Sequence, residues 1–476
     1  MKKIVYVASE CVPFIKTGGL ADVVGTLPKI FDKKKYDVRI IIPNYMCIPS
    51  KYKEKMRFIS NFQMDIGNRS EYVGIMYMEY EGVPVYFIDN EYYFSGCTPY
   101  TEDRWDIERF SYFSKAALSI LPVIGFKPDI VHCHDWQAGM VPVYLKTLFA
   151  GNPFFCGMHS IMTIHNLRFK GRWDVEHLKY CTGLPDYLFT PDKLEFHKDA
   201  SMLKGGLVYA DTITTVSNTY AYEIQTPYYG EELDGLLQAR NQSLVGIVNG
   251  IDYDEYNPET DKNLAKPYNI KNFKKNKAMN KTALQKELGL PVDKNQFVLG
   301  IISRLTDQKG LDLVDAVMND ICQDGVQFVI LGTGDPRYED MFRYYQGIHP
   351  AKVSANIYFS DALSHKMYGG CDAILVPSRF EPCGLTQLMA LRYGSLPIVR
   401  ETGGLKDTVI PYNEYEQTGT GFSFANYNAQ ELLQTINYAK EVFYNQKKNW
   451  EAMQERAMNQ NYSWADSAKK YEELYQ

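Results

Sequence analysis

The chain has 476 residues, 45% of them hydrophobic and 23% charged, with a formal net charge of −6. That length exceeds what one hydrophobic core holds and calls for two domains of roughly 200 residues or more. The acidic balance excludes a general nucleic-acid binder, which carries a basic stripe, and no stretch approaches the ~18 apolar residues of a membrane span.

The first apolar run, Ile4 to Ala8, reads as a strand; it is short and runs straight into a strand-turn pattern, unlike a signal peptide. Next comes the glycine turn Lys16-Thr-Gly-Gly-Leu-Ala-Asp22, opening a helical pattern. Further strands are predicted near Val38 to Ile42, Val83 to Ile88, Ile130 to His134, Met158 to Ile164 and Thr212 to Val216. Asn249-Gly-Ile-Asp252 is a turn-rich hinge candidate, and the lysine-rich stretch Asp261 to Lys281 reads as solvated surface. In the second half, strands recur near Phe297 to Ser303, Gln327 to Gly332, Asn356 to Phe359, Ala373 to Val376 and Leu396 to Val399. Ser463 starts a capped terminal helix running to Tyr475. This βαβ rhythm predicts an α/β protein with mostly parallel sheets, whose ligands bind at strand carboxyl ends. Nine cysteines, without a C-x-x-C pair, predict reduced thiols and a cytoplasmic protein.

Several strand ends carry chemistry. Ser378-Arg-Phe-Glu-Pro-Cys-Gly-Leu-Thr-Gln387 packs a strand end, the carboxylate of Glu381 and a glycine-opened helix start into ten residues. The unpaired amides near Leu385 and Thr386 make an anion site there, and Glu381 is placed to accept sugar hydroxyls. Arg304 and Lys309, in the loop that ends at Gly310, would hold a diphosphate and stabilise charge on a leaving phosphate. His165 and Asn166 end another strand and offer donors and acceptors to a sugar. Glu401-Thr-Gly-Gly-Leu-Lys-Asp-Thr-Val409 repeats Lys16 to Val24, the first glycine turn with the two residues after it, at six of nine positions, either as a second ligand turn or as duplicated packing. His132-Cys-His-Asp135 has the composition of a metal cluster, but its histidines alternate along a strand and read as structural. Asp252-Tyr-Asp254 is read as incidental.

Taken in order, Lys16 to Asp22, His134-Asp-Trp136, Thr163-Ile-His-Asn166, Asn249 to Asp252, Ser303-Arg304 with Gln308-Lys-Gly310, Ser378 to Gln387 and Thr402-Gly-Gly-Leu405 span nearly the whole chain. This set resembles bacterial glycogen synthase and plant starch synthase, glycosyltransferase family 5. The resemblance implies a GT-B architecture of two Rossmann-like domains facing a central cleft: residues 1–248 with the C-terminal helix 460–476 on the acceptor side, and 249–459 on the nucleotide-sugar side. It implies transfer of glucose from ADP-glucose, or UDP-glucose, to the non-reducing end of an α-1,4-glucan or maltooligosaccharide with retention, without a metal or cofactor. Position by position, Arg304 and Lys309 would bind the diphosphate. Lys16, Gly18 and Gly19 would complete the nucleotide pocket, and the segment Cys383, Gly384, Leu385, Thr386 would cap the phosphate. Glu381, His165, Asn166 and Asn249 would hold the glucose, with Asp22 and Trp136 towards the acceptor. Two positions depart from the wider pattern: Met389 stands where related retaining transferases have a second Glu, and Gln137 where many relatives have His. A phosphorylase-like enzyme on the same architecture, or a glucan-binding protein using some of the 37 Tyr as stacking platforms, are the alternatives.

Overall fold

The computed structural model describes residues 1–96, 98–101, 103–323 and 325–476. Its contacts divide the chain into two units, Met1–Val216 with Ala221–Ile247 and Ser467–Gln476, and Ser217–Tyr220 with Val248–Asp466. The division runs through the terminal helix Trp464–Leu474.

In the first unit the strands are β1 (Lys2–Val7), β2 (Tyr36–Pro43), β3 (Arg57–Ile66), β4 (Arg69–Tyr80), β5 (Val83–Asp89), β6 (Ile130–His134), β7 (His159–Ile164), β8 (Arg172–Asp174), β9 (Glu195–Phe196), β10 (Asp199–Ser201), β11 (Thr212–Thr215) and β12 (Leu244–Gly246). The main sheet runs β12-β11-β7-β6-β1-β2-β5-β4-β3. Strands β12 to β5 pair in parallel, and β1, β2, β5 and β6 are Val- and Ile-rich runs, as strands covered on both faces require. The antiparallel hairpin of β3 and β4 extends one edge. The sequence reading missed that hairpin, although Phe62, Met64 and Ile66 alternate with polar residues along β3; its turn is marked by Gly67 at φ 59°. Strands β8, β10 and β9 form a small antiparallel sheet.

The second unit has β13 (Phe297–Ile302), β14 (Val326–Leu331), β15 (Val353–Asn356), β16 (Ala373–Val376), β17 (Leu396–Arg400) and β18 (Phe422–Phe424), in the order β15-β14-β13-β16-β17-β18. Alternation along each strand feeds two cores. Phe297, Leu299, Phe328, Ile330 and Leu375 pack into one, and Val298, Val329, Leu331, Ile374 and Val376 into the other. Helices thus cover both faces of a parallel sheet, the doubly wound pattern.

Two expectations are corrected here. The strand expected at Asn356 to Phe359 is β15, which ends at Asn356; Tyr358 and Phe359 are exposed beyond it. The lysine-rich stretch is not a solvated surface throughout. It contains the helix Phe273–Glu287, on which Asn276, Lys277, Asn280 and Lys281 are buried. Lys277 Nζ donates to the carbonyls of Tyr368 and Gly369 and to Ser395 Oγ at 2.8–3.1 Å, and Lys281 pairs with Asp372 at 2.7 Å. Spacing alone did not reveal these partners, which lie about 90 or more positions away in the chain.

Candidate functional site

In the first unit the parallel strands β6 and β7 end side by side and deliver a cluster. His134, the last residue of β6, is fully buried, and its Nδ1 lies 3.0 Å from Nε2 of His165, just past β7. Asp135 follows in a conformation (φ 56°, ψ −177°) nearly reserved for glycine. Its Oδ1 accepts from the backbone amides of His165 (2.7 Å) and Asn166 (3.4 Å). Although the residue keeps some exposed surface, burial of the carboxyl pushes its pKa up to about 7, partly opposed by those two amides. Burial lowers His165 to about 3 and holds His134 well below the ordinary histidine value, so both rings are neutral. Trp136 opens a short 3-10 turn, packs edge-on against Phe110, and lies against Gly171, where a Cβ would come within 2.3 Å of the indole. Gln137 is buried behind it.

His132, the other member of the histidine run, bonds to Thr163 Oγ1 (2.6 Å) and to Tyr475 OH (2.7 Å), and is spent in the core. The glycine turn stands at the start of the helix Gly19–Ile30. Lys16 is exposed and pairs with Asp22 at 2.8 Å, while a Cβ on Gly18 would meet nothing within 4 Å, so open space lies over this turn. Burial raises the Asp22 carboxyl and Lys16 opposes the rise. Glu10 was missed by the sequence reading. Buried just past β1, it accepts from the amide and the hydroxyl of Thr17 and from Tyr100, and so holds the turn in place. An acid placed soon after a strand end was the available signal.

In the second unit, Lys309 and Glu381 meet. Nζ lies 2.6 Å from Oε2 of a buried Glu381, which also accepts from Ser378 Oγ at 2.9 Å. The loop bearing Lys309 is clamped to the Glu381 loop by Arg379 N donating to Gln308 O (2.9 Å). Gly310, at φ 70°, backs onto Pro377 O so closely that no Cβ fits. Gly384 (φ 74°) precedes Leu385 and the helix Thr386–Arg392. Cys383 is buried, which pushes its thiol up to about 12, opposed by a bond from the Asn249 backbone. That bond joins the hinge candidate to this loop. Oδ1 of the buried Asn249 has no hydrogen-bond partner among the described residues. Arg304 is exposed, and its guanidinium forms no ion pair among the described residues.

The second glycine turn packs against the same loop. Gly403, at φ 46°, lies so close to Glu381 O that an added Cβ would sit 1.8 Å away, and Gly404 N donates to that oxygen at 3.1 Å. Of the two readings of the repeat, packing describes this copy. Elsewhere in this unit His365 Nδ1 pairs with buried Asp261 at 2.6 Å, close to exposed Asp361 and Glu255. Asp252 accepts from the amide of Asp254, a local turn. Eight cysteines are free thiols; Cys97, the ninth, lies outside the described residues.

A family model described as the starch synthase catalytic domain matches residues 3–239, and one for glycosyl transferases group 1 matches residues 281–457. A glycogen synthase of Lachnospira eligens is 62% identical over 100% of this chain and 99% of its own length. The chain belongs to the glycogen synthase and starch synthase family. A second member, from Lachnoclostridium phytofermentans, is 58% identical over the full length of both chains. The catalytic domain of starch synthase IV from Arabidopsis thaliana, solved bound to ADP and acarbose, superposes with a TM-score of 0.92 at 35% identity, covering 100% of this chain and 98% of that one. Membership makes the chain a glycosyltransferase with the two-domain GT-B fold. Among the described residues, no helix is long and apolar enough to cross a membrane.

Proposed function

We propose that this glycosyltransferase moves glucose from ADP-glucose to the non-reducing end of an α-1,4-glucan, with retention at the anomeric carbon, in the cytoplasm. The observation that carries the reading is the Lys309, Glu381 and Ser378 cluster beside Gly384 and Leu385: a cation and a buried carboxylate held within one hydrogen-bonded loop pair. It is supported by the ADP and acarbose bound to the Arabidopsis relative.

In this reading Arg304, exposed and without a carboxylate partner among the described residues, and Lys309 take the diphosphate, with the amides of Leu385 and Thr386 on the same phosphate. Cys383 and Gly384 shape that loop. Lys16, Gly18 and Gly19 are the nucleotide-binding residues of the first unit. Glu381, His165, Asn166 and Asn249 hold the glucose, with the free Oδ1 of Asn249 as one open acceptor. Asp22 and Trp136 serve the acceptor glucan.

A nucleoside diphosphate is a good leaving group once cations and amides neutralise it, so the bond to the anomeric carbon breaks without a protonated carboxylic acid. Catalysis is then positioning and electrostatics. The departing phosphate oxygen takes the proton of the acceptor hydroxyl on the same face of the sugar, through an oxocarbenium-like transition state. Lys309 Nζ lies 2.6 Å from Glu381, so a bound donor shares this cation between carboxylate and phosphate.

The test is a pair of variants assayed with ADP-glucose, and separately UDP-glucose, plus a maltooligosaccharide. Lys309→Ala should lower turnover and weaken donor binding together, and unchanged kinetics would remove Lys309 from the site. Glu381→Gln should depress kcat by about 10²–10³ with little change in KM, the scale of losing one transition-state contact.

A further inference from the structure

We propose that His134 is a positioning residue that fixes the tautomer of His165, so that His165 presents its Nδ1–H as a hydrogen-bond donor to the bound sugar. The sugar contact rests on the function proposed above; the tautomer rests on the geometry of the buried, neutral pair.

His134 Nδ1 and His165 Nε2 lie 3.0 Å apart, a contact across which one nitrogen must carry a hydrogen. His134 is 0% exposed, and its other nitrogen, Nε2, is buried without a partner among the described residues. If His165 Nε2–H were the donor, neutral His134 would keep its own hydrogen on Nε2, as a buried N–H with nothing to bond. If His134 Nδ1–H is the donor, the orphan is a bare acceptor lone pair. Orphaned buried N–H groups are the rarer and costlier of the two, so His134 donates and His165 Nε2 accepts. Neutral His165 then carries its hydrogen on Nδ1, which makes no bond with the described residues.

The neighbours hold this choice in place. His134 is stacked on His132 at 4.4 Å and 25° and lies against Tyr6 at 5.1 Å, so its ring cannot turn over freely. Both nitrogens of His132 are occupied by Tyr475 and Thr163, which removes it as a competing partner. The Asp135 carboxylate fixes the His165 backbone at 2.7 Å. Burial keeps both rings neutral at working pH, the condition under which a tautomer is defined. A donor from Nδ1 suits a sugar hydroxyl oxygen; the opposite tautomer would offer only a lone pair.

The experiment is long-range 1H–15N spectroscopy on full-length protein labelled with 15N-histidine, assigned with His165→Asn, together with kinetics of His134→Asn and His134→Leu. The proposal expects His165 in the Nδ1–H tautomer in the wild type. His134→Leu should lose at least tenfold in kcat. His134→Asn, whose amide can still donate to His165 Nε2, should stay within about threefold, with the acceptor KM unchanged in both. An Nε2–H signal for His165 would overturn the proposal even if His134→Leu failed to fold, and so would equal kinetics for wild type and a folded His134→Leu. An Nδ1–H signal in a wild type that transfers no glucose from either donor would leave the hydrogen bond standing and overturn its role towards sugar.

Discussion

Asp135 combines two costs at one residue, a glycine-like backbone conformation and a buried carboxyl whose pKa is raised to about 7 by burial. Because the folded value lies above the ordinary ~3.9, the folded state binds a proton between about pH 4 and 7 that the unfolded state has released. Stability therefore falls as pH rises through that window. Asp135→Asn keeps an acceptor for the His165 amide and removes the charge, so its denaturation midpoint should vary less from pH 4.5 to 7.5 than that of the wild type. An identical slope in both proteins would show that this carboxyl does not titrate there. At this scale the sequence exposed residue types at strand ends: His165, Glu381 and Lys309 were legible because motif and strand coincide. Glu10 and the donor role of His134 were not, since both depend on contacts between segments far apart in the chain.

Among the elements, the two glycine turns share six of nine residues yet differ in conformation. Gly18 is extended (φ −157°), whereas its counterpart Gly403 is left-handed and backed by Glu381 O. Gly403→Ala must move that carbonyl, and a left-handed alanine is strained as well. We expect a loss of about 1–3 kcal/mol in chemical denaturation and a fall in activity; wild-type values for both would contradict the packing assigned to this turn. The helix Phe273–Glu287 makes the complementary point. Burial lowers Lys277 to about 7, so its charged form is disfavoured in the fold. Between about pH 7 and 10 the unfolded chain holds more protons, and stability gains as pH rises. Lys277→Met should lack that gain, measured as the difference in unfolding free energy between pH 7 and 9. Composition suggested a solvated face, because a lysine count carries no information about which carbonyls await the ammonium groups.

For the whole molecule, the alternation of apolar runs and helical patterns disclosed the parallel sheets of both units, with most strand positions within one or two residues. The β3–β4 hairpin escaped although its signal was present: Phe62, Met64 and Ile66 alternate with polar residues on β3, and β4 buries Val73 and Ile75, on either side of the turn at Gly67. The chain end was legible as a helix but not as a core element: Tyr475, the penultimate residue, is buried and bonds Tyr6 OH at 2.6 Å as well as His132. Tyr475→Phe leaves both partners short of a bond and should cost about 1–3 kcal/mol, seen as a lowered Tm. The central claim, glucosyl transfer from a nucleotide donor to a glucan, is tested most directly by nucleoside diphosphate release from purified protein given ADP-glucose or UDP-glucose, each with and without a maltooligosaccharide primer. Primer-dependent ADP release accompanied by chain lengthening is the predicted result. Silence with both donors, or release of glucose 1-phosphate from a glucan in the presence of phosphate, would contradict it.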